Sequence, residues 1–130
     1  MDENYKQTEL TQKIIGGFYN VYNKLGYGFL EKVYENALII ELTKLGLDAK
    51  GQVPVKVFYD GCEVGKYFAD LIVNESVIIE LKSCDGFIEE HEAQLTNYLR
   101  STKKEIGLLL NFGAKPQVKR KVFSNQYKSF

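Results

Sequence analysis

Apolar residues recur at helical spacing through the first third of the chain. Leu10, Ile14, Ile15, Phe18, Val21, Tyr22 and Leu25 form one stripe, which predicts an amphipathic helix capped by Thr8 or Thr11. Gly26 and Gly28 break it. A second stripe, Leu30, Val33, Tyr34, Ala37, Leu38, Glu41 and Leu45, predicts a helix stopped by Gly46. Strand patterns follow. V-P-V-K-V-F-Y leads into Asp60-Gly61 as a hairpin turn, then C-E-V-G-K-Y-F-A-D-L-I-V with a kink near Gly65, then S-V-I-I-E-L-K. Helical spacing returns in I-E-E-H-E-A-Q-L-T-N-Y-L-R, and the strand E-I-G-L-L-L-N-F comes next. Beyond Pro116, V-K-R-K-V-F reads as a last edge strand. The order αα-ββββ-αβ(β) predicts an α/β (α+β) fold, one domain over residues 1–130 with a mixed sheet flanked by helices.

Composition narrows the setting. With 45% hydrophobic and 26% charged residues the chain reads as an ordinary soluble domain, and no apolar run reaches membrane-span length. The start, M-D-E-N-Y-K-Q-T-E-L, lacks the marks of a secretory signal, and Cys62 and Cys84 read as reduced thiols. The expected location is therefore cytoplasmic, with no membrane partner. Two cysteines are too few for a four-cysteine zinc site or an iron–sulfur cluster. Net charge is zero but uneven, because residues 101–130 hold seven Lys or Arg against Glu105. Lys119, Arg120 and Lys121 are accordingly candidates for weak contacts to a phosphate backbone.

The hairpin F-A-D-L-I-V-N-E-S-V-I-I-E-L-K concentrates the chemistry. A three-residue turn at Asn74, Glu75 and Ser76 sets Asp70 opposite Glu80, whereas a two-residue turn sets it opposite Ile79. Glu80 and Lys82 project from one face of their strand, with Val77, Ile79 and Leu81 on the other. Two carboxylates one strand apart repel unless a cation lies between them. Oxygen ligands of this kind favour Mg2+ or Mn2+, and a neighbouring lysine stabilises developing negative charge or orients water.

This D-(x)n-E-x-K arrangement resembles the PD-(D/E)XK nuclease superfamily. G-Y-G-F-L-E-K-V-Y-E-N-A-L, with Gly28, Glu31 and Tyr34, resembles the signature of its small GxxExxY family. That resemblance continues through V-P-V, the acidic hairpin, H-E-A-Q-L-T-N-Y-L and G-L-L-L-N-F-G. Gln94 and Tyr98 resemble the Q-x-x-x-Y that follows the catalytic strand in RecB-type exonucleases.

The resemblance implies a restriction-endonuclease-like core and metal-dependent phosphodiester hydrolysis. Asp70, Glu80 and the Leu81 carbonyl would hold the metal, and Lys82 would position the attacking water. Glu31 would complete the acidic cluster, and Gln94 would orient phosphate or the lysine. Tyr98 and His91 would lie within reach of nucleic acid, whereas Tyr34 reads as core. Nucleic acid, DNA ahead of RNA, is the implied substrate, with a protein partner for targeting left open. The alternative is a catalytically weak or inactive binding module that keeps the same fold. A phosphate-handling enzyme acting on small nucleotides is a third reading.

Overall fold

The computed structural model describes residues 7–128; residues 1–6 of the polar N-terminal stretch lie outside them. Helix α1 spans Thr8–Leu25 and α2 Glu31–Lys44, followed by strands β1 (Ala49–Tyr59), β2 (Cys62–Val73) and β3 (Val77–Lys82). Helix α3 (Glu89–Arg100) leads to β4 (Ile106–Phe112) and β5 (Pro116–Val122), and a short 3-10 turn covers Asn125–Tyr127. Three strands, not four, precede α3, because Ala49–Tyr59 runs as one continuous strand.

The sheet order is β1-β2-β3-β4-β5, with β3 and β4 parallel and every other neighbour antiparallel. The chain passes from β3 to β4 through α3, as a parallel pair requires. Both faces of the sheet are covered. Ile14 and Phe18 of α1 and Leu38 and Leu42 of α2 bury against Leu71, Ile79, Leu81, Leu108 and Leu110. On the other face Leu95, Tyr98 and Leu99 of α3 bury against Ala69, Ile72, Ile78 and Leu109. All seven residues of β4 are consequently buried, as expected of a strand with layers on either side.

The expected threonine cap of α1 is not made: the cap position is Gln7, without a side-chain cap bond, and the Thr11 hydroxyl donates to the Thr8 carbonyl at 3.0 Å inside the helix. The glycine expectations hold. Gly46 ends α2 at φ +83°, with Gly46 N donating to Thr43 O and Leu47 N to Leu42 O, a Schellman closure. The kink near Gly65 is a bulge: Val57 pairs with Gly65, Phe58 with Glu63, and Val64 is left over. The expected apolar stripe of α2 fails too. Leu30 and Val33 are exposed, and the buried face of α2 is Tyr34, Glu35, Leu38 and Leu42. The fully buried Tyr34 ring stacks on Phe112 at 4.2 Å and fixes the helix rotation that turns Glu35 inward.

The β2–β3 turn has three residues. Asn74 and Glu75 both take positive φ, 51° and 55°, and Ser76 N donates to Val73 O at 3.0 Å, the geometry of a type I′ turn. Asparagine tolerates that region, but glutamate is strained there. Glu75→Gly is therefore expected to raise stability by about 1 kcal/mol in urea denaturation. Its exposed contact with Lys50, 3.6 Å, offers little to lose. At one edge of the sheet as the described residues form it, β1 carries Lys50, Pro54 and Lys56.

Candidate active site where β2 and β3 part

The register Val73↔Val77, Ile72↔Ile78 and Leu71↔Ile79 sets Asp70 across from Glu80, the outcome of a three-residue turn. Regular pairing stops there, and the two side chains take over. The Asp70 backbone N–H donates to Glu80 Oε2 at 2.8 Å, and the Leu81 backbone N–H donates to Asp70 Oδ2 at 2.8 Å. Each carboxylate thus caps the amide that a regular ladder would leave behind. Strand β2 also loses its alternation at this point: Ala69 and Ile72 face α3, whereas Leu71 and Val73 face α1 and α2.

Burial makes the pair electrostatically costly. Glu80 is 4% exposed, and its pKa is raised to about 8 by burial first and by the Asp70 charge second. Asp70 is also raised, mainly by burial, with Glu35 and Glu31 adding repulsion; the Leu81 amide and Lys82 pull the other way. Lys82 lowers Glu80 as well. The metal-free site therefore retains a proton on the acid pair at neutral pH.

The donor set fits a hard divalent cation. Asp70 and Glu80 each commit one oxygen to a backbone amide, which leaves the other oxygen of each for a ligand. Among the described residues no three His, Cys, Asp or Glu side chains are grouped to hold an ion by themselves. Two carboxylates would need a main-chain oxygen and water to complete coordination, and Leu81 is the main-chain residue already fastened to Asp70.

The segment Gly26–Leu30 forms a wall beside this pair. Gly28 has φ +107°, which a residue with a Cβ rarely adopts. The buried Tyr34 hydroxyl donates to Gly26 O at 2.7 Å and accepts from Phe29 N at 3.2 Å. Phe29 O in turn accepts from the Ser83 hydroxyl at 3.2 Å, next to Lys82. Glycine and tyrosine thus shape the loop that presents Glu31, an exposed first residue of α2 whose charge reaches Asp70. Tyr34→Phe is expected to cost about 1–2 kcal/mol of stability by leaving Phe29 N and Gly26 O without this partner, measured by urea denaturation.

On α3, Gln94 Nε2 donates to the Tyr98 hydroxyl at 2.8 Å, joining the two residues of the Q-x-x-x-Y. The Tyr98 pKa is raised by burial and then by the charge of Glu80, which puts the phenol within electrostatic reach of the acid pair. His91 is occupied at the helix start, where Nδ1 accepts from Ile88 N at 3.3 Å. The basic segment does not form one patch. Lys119 and Lys121 both pair with Glu92, at 3.2 and 2.5 Å, while Arg120 projects from the opposite face of β5.

Two site neighbours were not evident in the sequence. Glu35 is 4% exposed, and Gln52 Nε2 donates to its Oε1 and Oε2 at 3.2 and 3.1 Å. Gln52 has φ +52° in the middle of β1, between the pairs Gly51↔Leu71 and Val53↔Ala69, and so lies across from Asp70. The four-residue spacing from Glu31 to Glu35 was a usable signal for the first. Nothing in the local sequence announces the second.

A family model described as the PD-(D/E)XK nuclease superfamily matches residues 8–121. The chain belongs to that superfamily. Among solved structures it is similar to one titled "Crystal structure of SSO0001", at 20% identity and a TM-score of 0.57. The match covers 94% of this chain and 62% of that one, so this chain spans under two thirds of the other's length. At that identity the likeness concerns the fold alone, here restriction-endonuclease-like. No curated protein matches.

Proposed function

We propose that this chain is a Mg2+- or Mn2+-dependent nuclease that hydrolyses phosphodiester bonds of nucleic acid. The observation that carries the reading is the buried acid pair, with Glu80 at 4% exposure and a pKa of about 8. A core has no use for two repelling carboxylates, but a cation site does. Asp70 and Glu80 would hold the ion, together with the Leu81 carbonyl. A divalent cation supplies charge neutralisation at phosphorus and acidifies water. Lys82, leaving the same strand face as Glu80, orients the attacking water and faces the charge that develops on the phosphoryl oxygens. Glu31 adds a carboxylate from the loop side, and Gln94 holds phosphate or the lysine from α3.

The test is a cleavage assay on single-stranded DNA, duplex DNA and RNA with Mg2+ or Mn2+. Wild type is expected to cleave only with metal, and Asp70→Asn to lose both cleavage and metal-induced thermal stabilisation. Equal activity in wild type and Asp70→Asn defeats the assignment. A folded protein that neither cleaves nor gains stability from metal is instead a binding module on a nuclease fold.

A further inference from the structure

Helix α3 borders a second surface that the acid pair does not use. Between the tip of the β1–β2 hairpin and the C-terminal segment lies a groove of about 910 Å³, bounded by Phe58, Tyr59, Arg100, Phe123, Tyr127 and Lys128. Three of its rings stand in water: Phe58 is 59% exposed, Tyr59 70% and Tyr127 71%. Single exposed rings are ordinary on a protein surface, but several gathered along one groove mark a binding surface.

Cations accompany the rings. The Arg100 guanidinium lies 5.3 Å from the centre of the Phe123 ring, and Lys128 Nζ lies 5.9 Å from it. Lys128 is held in place by donating to Thr102 O at 2.9 Å and Lys104 O at 2.6 Å. Asp60 at the hairpin turn is the acidic residue of the lining.

The groove also leads somewhere. Val57, Arg100 and Ser101 border a second depression of about 490 Å³, whose other walls include Tyr67, Gln94 and Tyr98. The Tyr67 and Tyr98 rings lie 5.9 Å apart, and the Tyr98 hydroxyl, bonded to Gln94, is within electrostatic reach of Glu80 and Asp70. Aromatic faces therefore continue from the hairpin tip past Arg100, the cation shared by both depressions, to Tyr67 and Tyr98, with Glu90 the acidic residue of the second lining.

We infer that this groove binds an unpaired nucleic-acid strand, with bases stacked on Tyr59 and Tyr127 and phosphates facing Arg100 and Lys128, and leads it past Tyr67 and Tyr98 to the acid pair. Ring faces can stack only on bases that are not already stacked in a duplex, which selects single strands. The end point of the track rests on the proposed nuclease reading, whereas the binding does not.

The experiment is fluorescence anisotropy in EDTA, where metal-dependent cleavage is silent. Probes are oligothymidine and oligouridine of about 16 nucleotides, the upper site size of single-strand-binding OB folds, and a duplex of equal length. The double variant Tyr59→Ala/Tyr127→Ala alters exposed side chains, so its melting temperature serves as the control for folding. Tighter binding of single strand than duplex is expected, weakened about tenfold or more in the double variant. Arg100→Gln is expected to flatten the slope of log K against log salt by about 0.7, one phosphate contact. A folded double variant that binds single strands as tightly as wild type overturns the proposal, as does a preference for duplex. Strand binding through Tyr59 and Tyr127 without cleavage keeps the groove and defeats the nuclease. Metal-dependent cleavage with affinity indifferent to those rings does the reverse.

Discussion

Glu80→Gln is expected to raise the melting temperature of the metal-free protein at pH 8 and to leave it nearly unchanged at pH 4. Glu80 titrates at about pH 8 in the folded chain against 4.5 for an ordinary glutamate. Folding therefore holds a proton that the unfolded chain has released, so the contribution to stability is full below about pH 4.5 and falls as pH rises. It is lost once pH passes 8. Asp70 is raised in the same direction and adds to the slope. Each pH unit in that window costs about 1.4 kcal/mol per proton retained. The accumulated loss is on the order of a few kcal/mol, or roughly 10 °C for a chain of this size. The neutral amide introduced by the substitution removes the charge that has to be buried at position 80, so the variant's melting temperature should fall less steeply than wild type from pH 5 to 8, the remaining slope coming from Asp70. Magnesium should flatten the wild-type profile too, because a cation replaces the proton. A wild-type melting temperature indifferent to pH across this window would mean that the acid pair is not buried as described.

Lys82→Ala is expected to lower the cleavage rate by about a hundredfold or more while leaving the thermal stabilisation by magnesium in place. In the proposed mechanism the lysine is not a ligand, so the ion should still bind. What would go is the ammonium proposed to orient water and meet developing charge. A second readout separates this role from a structural one. Lys82 draws down the pKa of both Asp70 and Glu80. Its removal should therefore shift the pH-dependent loss of metal-free stability to higher pH. Full activity in Lys82→Ala would remove the lysine from the mechanism.

The acid pair was legible because it needs only a hairpin register, and the register follows from turn length. Three residues between Val73 and Val77 decide that Asp70 meets Glu80. The α1 stripe was legible for a similar reason: Leu10, Ile14, Phe18 and Val21 repeat at one period over about three turns, and all bury against the same face. Helix α2 was misread because its apolar residues surround it. Periodicity alone does not fix its rotation, which depends on Tyr34 meeting Phe112 from a distant strand. Glu35 was hidden by that error. Gln52 was hidden more deeply, since a left-handed residue inside a strand is imposed by contacts with Glu35 and the irregularity at Asp70. Lys119, Arg120 and Lys121 looked like one basic patch because a list of residues does not say which alternate across a strand or which already hold Glu92.

Among the described residues strand β1 closes one side of the sheet with an unpaired edge, and Pro54 stands in the middle of it. Because Pro54 keeps its place opposite Phe68, its missing N–H is taken from the outer side of the strand. Lys50 and Lys56 flank that gap, and the β2 bulge at Val64, opposite Val57 and Phe58, twists the end of the hairpin away. A second chain aligning along this border would meet a missing donor, two like charges and a bend within a few residues. The border resists continuation into a larger sheet, so the hairpin can extend its rings into water without inviting aggregation.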